Sequence, residues 1–253
     1  MHHSEEKPRL DPVHFQLRAS VGAHAEASLR SGIHNRGYLP HVKREGAVYF
    51  VTFRLADSLP RSVLMQFVAE RAERLRAEQN SSKASVELID REYARKVERF
   101  LDTGAGECVL ERPDLAALVA EAIRFFDAER YYLRAWVVMP NHVHVVFWPA
   151  PNHTVSAVLR TWKQFTAVRA NRILNRAGQP FWQRESYDHW IRNDEERQRC
   201  CNYVRNNPPR AGLCRTPEEW KWSSAWPGWR DQSGVAQATE PAVSPNSVRQ
   251  PKQ

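Results

Sequence analysis

A chain of 253 residues can bury one good core and a small annex, since domains usually run to about 100 to 200 residues. No run approaches the roughly 18 apolar residues of a membrane span, and the opening MHHSEEKPRLDP is charged where a secretory signal turns apolar, so the expectation is a soluble, intracellular protein with no membrane partner. The formal net charge of +8 is modest, but only seven of the 37 basic residues are lysine, and the arginine excess favours phosphate partners.

Residues 1 to about 45 lack sustained periodicity and contain Gly32, Gly37 and Pro40; they read as an N-terminal arm ending in a turn. Ala47 to Leu55 is rich in β-branched and aromatic residues and predicts a strand. After Pro60 the apolar spacing of Val63, Leu64, Phe67 and Val68 becomes helical, and two more helical stretches follow, around 86–101 and from Pro113 to about 128. The acid-rich stretch of about 57–111 reads as a helical insertion that covers or contacts something and does no chemistry. Tyr131 to Met139 and His142 to Trp148 predict two strands joined by a tight turn at Pro140-Asn141. Thr154 can cap a helix running to about 175. Phe181 to Ile191 is a short extended segment. Asn193 or Asp194 then caps a helix with an acidic first turn, which continues through Tyr203 until Pro208-Pro209 stops it. The main domain spans 46–230, and 231–253, poor in large apolar groups, reads as a disordered tail.

Strand side chains alternate faces, so His142 and His144 point the same way and could chelate a divalent ion. Chance supplies roughly 0.4 such pairs in a chain of this composition, so the pair alone is weak. Tyr203 and Asn207 are four apart on one helix face, a phenol that can be a nucleophile beside an amide that can be a ligand. Packing is the ordinary explanation for each. The four cysteines, Cys108, Cys200, Cys201 and Cys214, contain no C-x-x-C pair and read as reduced thiols. Residues 142–230 hold 14 Arg plus Lys against 7 Asp plus Glu and eight of the nine tryptophans, whereas 57–130 holds 12 against 15. Guanidinium groups interleaved with flat aromatics suit an unpaired nucleic-acid strand, although core packing explains tryptophans equally well.

The succession of motifs is more specific than any one of them. V-V-M-P-N-H-V-H-V-V-F, a helix containing W-K-Q-F, then F-W-Q-R-E-S-Y-D-H-W-I-R-N, then C-N-Y-V-R-N-N-P-P-R-A-G-L resembles the single-tyrosine HUH transposases, in particular the REP-associated tyrosine transposases, over about 38–226 without the insertion. The resemblance implies an α+β, ferredoxin-like fold, with an antiparallel sheet carrying the histidines and helices packed behind. It implies that His142, His144 and Asn207 bind a metal and that Tyr203 is the nucleophile. Lys163, Trp182, Arg184, Arg192 and Arg205 fall where DNA contacts are expected. The insertion departs from the compact family form, and Tyr187 offers a second tyrosine near the site.

The implied chemistry is metal-dependent cleavage and joining of single-stranded DNA through a 5′-phosphotyrosine, at hairpins of repetitive palindromic elements. Magnesium or manganese suits oxygen and imidazole ligands, with zinc on Cys200, Cys201 and His189 as the alternative. The protein is expected to act as a monomer or homodimer in the cytoplasm, associated with the nucleoid. A domesticated, non-enzymatic protein that only binds such hairpins is the competing reading.

Overall fold

The structure, a computed structural model, describes residues 32–35, 40–43, 46–78 and 83–229. The expected tail and most of the expected N-terminal arm lie outside them. Within the arm, β1 (Gly32–Asn35) and β2 (Pro40–Lys43) pair as a small antiparallel ribbon.

The main sheet is built from β3 (Val48–Arg54), β4 (Tyr131–Val138), β5 (His142–Pro149) and β6 (Tyr187–Ile191), in the order β4-β5-β3-β6 with every neighbour antiparallel. With helices between β3 and β4 and between β5 and β6, this is the ferredoxin-like α+β arrangement. Alternation along the strands sorts the side chains. Tyr49, Val51 and Phe53 of β3, with Val143, Val145 and Phe147 of β5, enter the larger core. Phe50 and Val146 face the other way. In β4 a register shift between Leu133 and Ala135 inserts Arg134, so Tyr131 before it and Trp136 and Val138 after it reach the same core despite their opposite parity.

Helices α3 (Pro113–Arg124) and α4 (Val155–Ile173) cover the first face, contributing Leu115, Val119, Ile123, Val158 and Trp162. Pro113 sits at the start of α3, where its missing N–H costs nothing. Thr154 caps α4 by accepting from the Ala157 N–H at 3.2 Å. The buried Trp162 indole donates to the Tyr131 hydroxyl at 3.0 Å, and that hydroxyl donates to the Ile123 carbonyl at 2.7 Å, so the aromatic core carries no unpaired polar tip there.

Helix α5 (Asp194–Arg210) lies on the opposite face, its Cys201 and Val204 packed with Ala135, Val137 and Val146. The fold therefore has helices on both sides of the sheet, two behind the histidines and one in front. Asn193 caps α5 through the Glu196 N–H at 2.8 Å. The expected stop at Pro208-Pro209 is corrected: both prolines lie inside the last turn. Each lacks the N–H that would bond the carbonyl four residues back, and Gly212, at φ 74°, closes the helix with its N–H on the Pro209 carbonyl at 3.0 Å.

The insertion is a helical hairpin, α1 (Arg61–Ala77) and α2 (Lys83–Leu101). Its satellite core of Leu59, Tyr93, Val97 and Leu101 takes in Leu64 and Phe67 of α1 and reaches Tyr187 of β6. Ion pairs Arg71–Asp90 and Lys96–Glu70 tie the two helices together at 2.6 and 2.5 Å. After α5 the chain returns along the free edge of β4, where Val138 N–H donates to Trp222 O at 2.8 Å and Ser224 N–H to Trp136 O at 2.9 Å. That strap hides an edge that would otherwise template pairing with another chain.

Candidate active site

The strand alternation that sends Val143 and Val145 into the core sends His142 and His144 to the α5 face, where they are 1% and 0% exposed. Their Nε2 atoms lie 3.0 Å apart. Each ring is held from behind. Thr52, opposite His144 in the sheet register, places its hydroxyl 2.8 Å from His144 Nδ1. The Asn141 amide donates through Nδ2 to the carbonyls of Leu101 and Ala105 at 3.1 and 2.9 Å, so its oxygen faces His142 Nδ1 at 2.6 Å and must accept. His142 therefore carries its proton on Nδ1 and presents a lone pair at Nε2.

Burial, helped by the nearby Arg54 guanidinium, pushes the His142 imidazole down to about 3. Burial also holds His144 well below the ordinary histidine value, with His142 and Arg210 adding to the effect. Both rings are neutral near pH 7, the form that ligates a cation.

Helix α5 sets Tyr203 against this pair. The phenol ring meets His144 edge-on with centroids 5.5 Å apart, meets Phe50 at 5.9 Å, and has the Arg210 guanidinium 5.0 Å from its centroid. Burial and the charges of the nearby Glu98 and Asp102 raise the phenol above its ordinary value, only partly offset by Arg210, so the resting side chain is protonated. Burial, with the charge of Asp102 adding to it, pushes Glu98 up to about 7.

One turn beyond Tyr203, Asn207 is 1% exposed and its Oδ1 has no hydrogen-bond partner. A buried amide oxygen left unpaired costs about 1–3 kcal/mol, which a cation would recover. Two neutral imidazoles and an orphaned amide oxygen suit a divalent ion of the magnesium or manganese type. The zinc alternative finds no support, because among the described residues no group of three or more His, Cys, Asp or Glu converges. Instead His189 bonds Glu196 at 2.9 Å, while Cys201 is buried among apolar side chains.

Residues 109–207 match the family model described as "Transposase IS200 like". Over that segment the chain is similar to the IS200-like transposases. The matched segment contains His142, His144, Tyr203 and Asn207, and it begins after the helical hairpin of the insertion. None of the curated proteins matches the chain. Among solved structures, one of a REP-associated tyrosine transposase bound to a REP hairpin is 15% identical, with a TM-score of 0.43, covering 85% of this chain and 98% of the other. A Deinococcus radiodurans R1 protein described as a transposase is also 15% identical, with a TM-score of 0.31, covering 69% and 96%.

The other expected site residues fall into two groups. Arg184 and Arg192 are exposed, Arg192 with its guanidinium 5.4 Å from the Trp190 ring centroid, and Arg205 is half-buried with a bond to Arg134 O at 3.4 Å. Trp182 is corrected: only 7% exposed, it packs on Phe53 at 4.8 Å and donates to Thr166 Oγ1 at 2.8 Å, so no base can stack on it. Lys163 is likewise drawn inward, its ammonium donating to Gln183 O, Arg184 O and Ser186 Oγ at 2.6, 3.0 and 3.2 Å. Burial and Arg54 push it down to about 8, and it acts as a clamp on the segment before β6.

Sequence reasoning passed over Thr52, Arg54, Asn141, Glu98 and Arg210. The alternation of Val51-Thr-Phe-Arg54 could have placed Thr52 and Arg54 on the histidine face, for two polar residues at strand spacing inside an apolar strand are such a signal. Nothing local announces Glu98. The insertion, expected to cover or contact something, contacts the site through the Leu101 and Ala105 carbonyls that hold the Asn141 amide.

Proposed function

We propose that this transposase cleaves and rejoins single-stranded DNA by transesterification at Tyr203, assisted by a divalent cation held by His142, His144 and Asn207. The observation that carries the reading is the convergence on one sheet face of two buried, neutral imidazoles, a phenol lying edge-on against one of them, and, one helical turn from the phenol, a buried amide oxygen without a partner. Four separate sequence segments supply these groups and the residues that orient them.

When bound, the cation neutralises charge that grows on the oxygens of the scissile phosphate. The protein's own residues do the rest. Thr52 and Asn141 fix the imidazole rings so that both Nε2 atoms face one point. Phe50, His144 and Arg210 confine the Tyr203 ring. The Tyr203 oxygen attacks phosphorus, the P–O3′ bond breaks, the phenol gives up its proton, and the departing 3′ oxygen ends protonated. The phosphoester is conserved as a 5′-phosphotyrosine, so a 3′-hydroxyl can reverse the step and join strands without a nucleotide cofactor. Arg184, Arg192 and Arg210 are exposed guanidinium groups suited to the strand's phosphates. By the motif resemblance, the substrate is DNA that folds into palindromic hairpins, and the REP-associated branch is the assignment within the family.

The test is to incubate the full chain and manganese with single-stranded DNA carrying the repeats that flank its gene, then denature. A covalent protein–DNA adduct is expected for wild type and none for Tyr203→Phe, which should still bind the DNA. Tight binding without an adduct in wild type would instead make it a hairpin-binding protein.

A further inference from the structure

Arg54 ends β3 on the histidine face. Thr52, two residues earlier, has its hydroxyl 2.8 Å from His144 Nδ1, and the alternation that puts Phe53 in the larger core returns Arg54 to the side of Thr52. In the sheet register Arg54 stands directly opposite His142, a pairing that brings two Cβ atoms to about 4.5–5.5 Å. Its backbone is pinned from both sides. Gln183 N–H donates to Arg54 O at 2.9 Å, and the N–H of the next residue, Leu55, donates to Asn141 O at 2.9 Å.

The Arg54 side chain is only 9% exposed, and its Nε is buried without a hydrogen-bond partner. Arginine keeps its charge when buried, so water has been taken from a cation with no acceptor returned at that nitrogen. The neighbouring cation is treated differently, for the Lys163 ammonium donates to three oxygens of the segment before β6. Glu185 is the carboxylate whose charge reaches Arg54, yet it leaves Nε unbonded. Stability does not explain the arrangement, since a buried charge lacking partners weakens a fold, and local costs of this kind mark groups placed for another purpose. On the same face the Asn207 amide oxygen is also buried and unpaired. An orphaned donor and an orphaned acceptor on one face fit two halves of one ligand, an anion for the first and a cation for the second. A phosphodiester with its metal ion supplies both.

We propose that Arg54 is a further catalytic residue, donating from its guanidinium to a non-bridging oxygen of the scissile phosphate. This rests on the Tyr203 strand-transfer reading. The bonds made and broken are those of that reaction; Arg54 gives up no proton and forms no covalent bond. Its charge offsets the negative charge that builds on the phosphate oxygens as the Tyr203 oxygen attacks, and the dry surroundings strengthen that attraction. The family match begins at residue 109, so Arg54 lies outside the matched segment.

The experiment compares full-length wild type with Arg54→Met and Arg54→Gln, in manganese, on single-stranded DNA carrying the flanking repeats. On ordinary DNA either variant should slow single-turnover adduct formation about 100- to 1,000-fold, the loss expected when one donor is removed from a developing negative charge. Melting temperature should stay level or rise, because a buried unpaired charge has gone. A marked fall in both variants would make Arg54 a structural group and overturn the proposal; a fall in Arg54→Met alone leaves Arg54→Gln to carry the comparison. A second substrate replaces one non-bridging oxygen at the linkage cut by wild type with a methyl group. On one of the two stereoisomers of this methylphosphonate the variants should react within about threefold of wild type, since both changes remove the same contact. A deficit as large on both isomers as on ordinary DNA, or wild-type rates on ordinary DNA, would overturn the proposal. Should wild type itself form no adduct, the strand-transfer reading fails, and binding decides whether Arg54 meets a phosphate. Among strands carrying one methylphosphonate at each linkage in turn, a position that weakens binding by wild type but not by Arg54→Gln upholds the contact, and identical profiles overturn it.

Discussion

The two faces of the sheet are made by alternate residues of the same strands, yet they serve opposite ends. Behind the sheet, Val51, Phe53, Val143, Val145 and Phe147 are almost fully buried against α3 and α4, with polar tips satisfied. In front, Thr52, Arg54, His142 and His144 are also buried but polar, and Arg54 Nε and Asn207 Oδ1 have no hydrogen-bond partner. Burial behind the sheet is repaid by apolar packing. Burial in front strips water from groups that would then interact strongly with a phosphate and a cation. Because the strand period is two, a slip of one residue would exchange the two roles, so the dry face fixes the register of the chemical one.

The largest effects should come from the front. His142→Ala or His144→Ala should lower metal-dependent adduct formation at least about a hundredfold and remove manganese binding measured by calorimetry. Undiminished manganese binding would move the metal elsewhere. Phe147→Ala, one face away, should instead cost about 3–5 kcal/mol of stability by leaving a cavity, read as a lower denaturation midpoint, with manganese affinity of the folded fraction unchanged. Loss of metal affinity without loss of stability would break the division between the faces. Thr52→Val is nearly isosteric and removes only the hydroxyl behind His144. Its manganese affinity should fall about 10- to 100-fold.

A smaller effect is expected from pH. The folded protein keeps His142 neutral down to about 3, whereas the unfolded chain binds that proton near 6.5. The stabilisation from this group is thus full above pH 6.5 and is lost as pH falls from there towards 3. Wild type should lose thermal stability over that range more steeply than His142→Gln, and equal slopes would contradict the buried neutral ring. The smallest change should follow Trp182→Phe, which breaks the bond to Thr166 for about 1 kcal/mol and leaves DNA affinity as it was. A marked loss of DNA affinity would return Trp182 to the binding surface.

Periodicity made much of this legible from sequence. The strand at Val48–Arg54, the hairpin, the capped helices and the placement of both histidines on one face all follow from local pattern. What stayed hidden depends on contacts between distant segments. Thr52 and His144 are 92 positions apart, and Asn141 meets the insertion across 36 to 40. No local rule pairs such residues. The β4 bulge at Arg134 is equally silent, since it shows only when Tyr131 and Trp136 are found in one core. Composition failed for tryptophan because one ring serves core and nucleic acid alike; Trp162, Trp182 and Trp229 proved to be core. Lys163 looked like a phosphate contact, yet three oxygens nearby within the protein claim its ammonium.

The central claim, that the chemical face acts through Tyr203, is tested most directly by locating the DNA on the protein. After reaction with manganese and hairpin-bearing single-stranded DNA, the denatured adduct would be digested with trypsin and the DNA-linked peptide sequenced by mass spectrometry. The account predicts linkage at Tyr203 in the peptide running from Cys200 to Arg205. Linkage at Tyr187, in the peptide from Glu185 to Arg192, would contradict it.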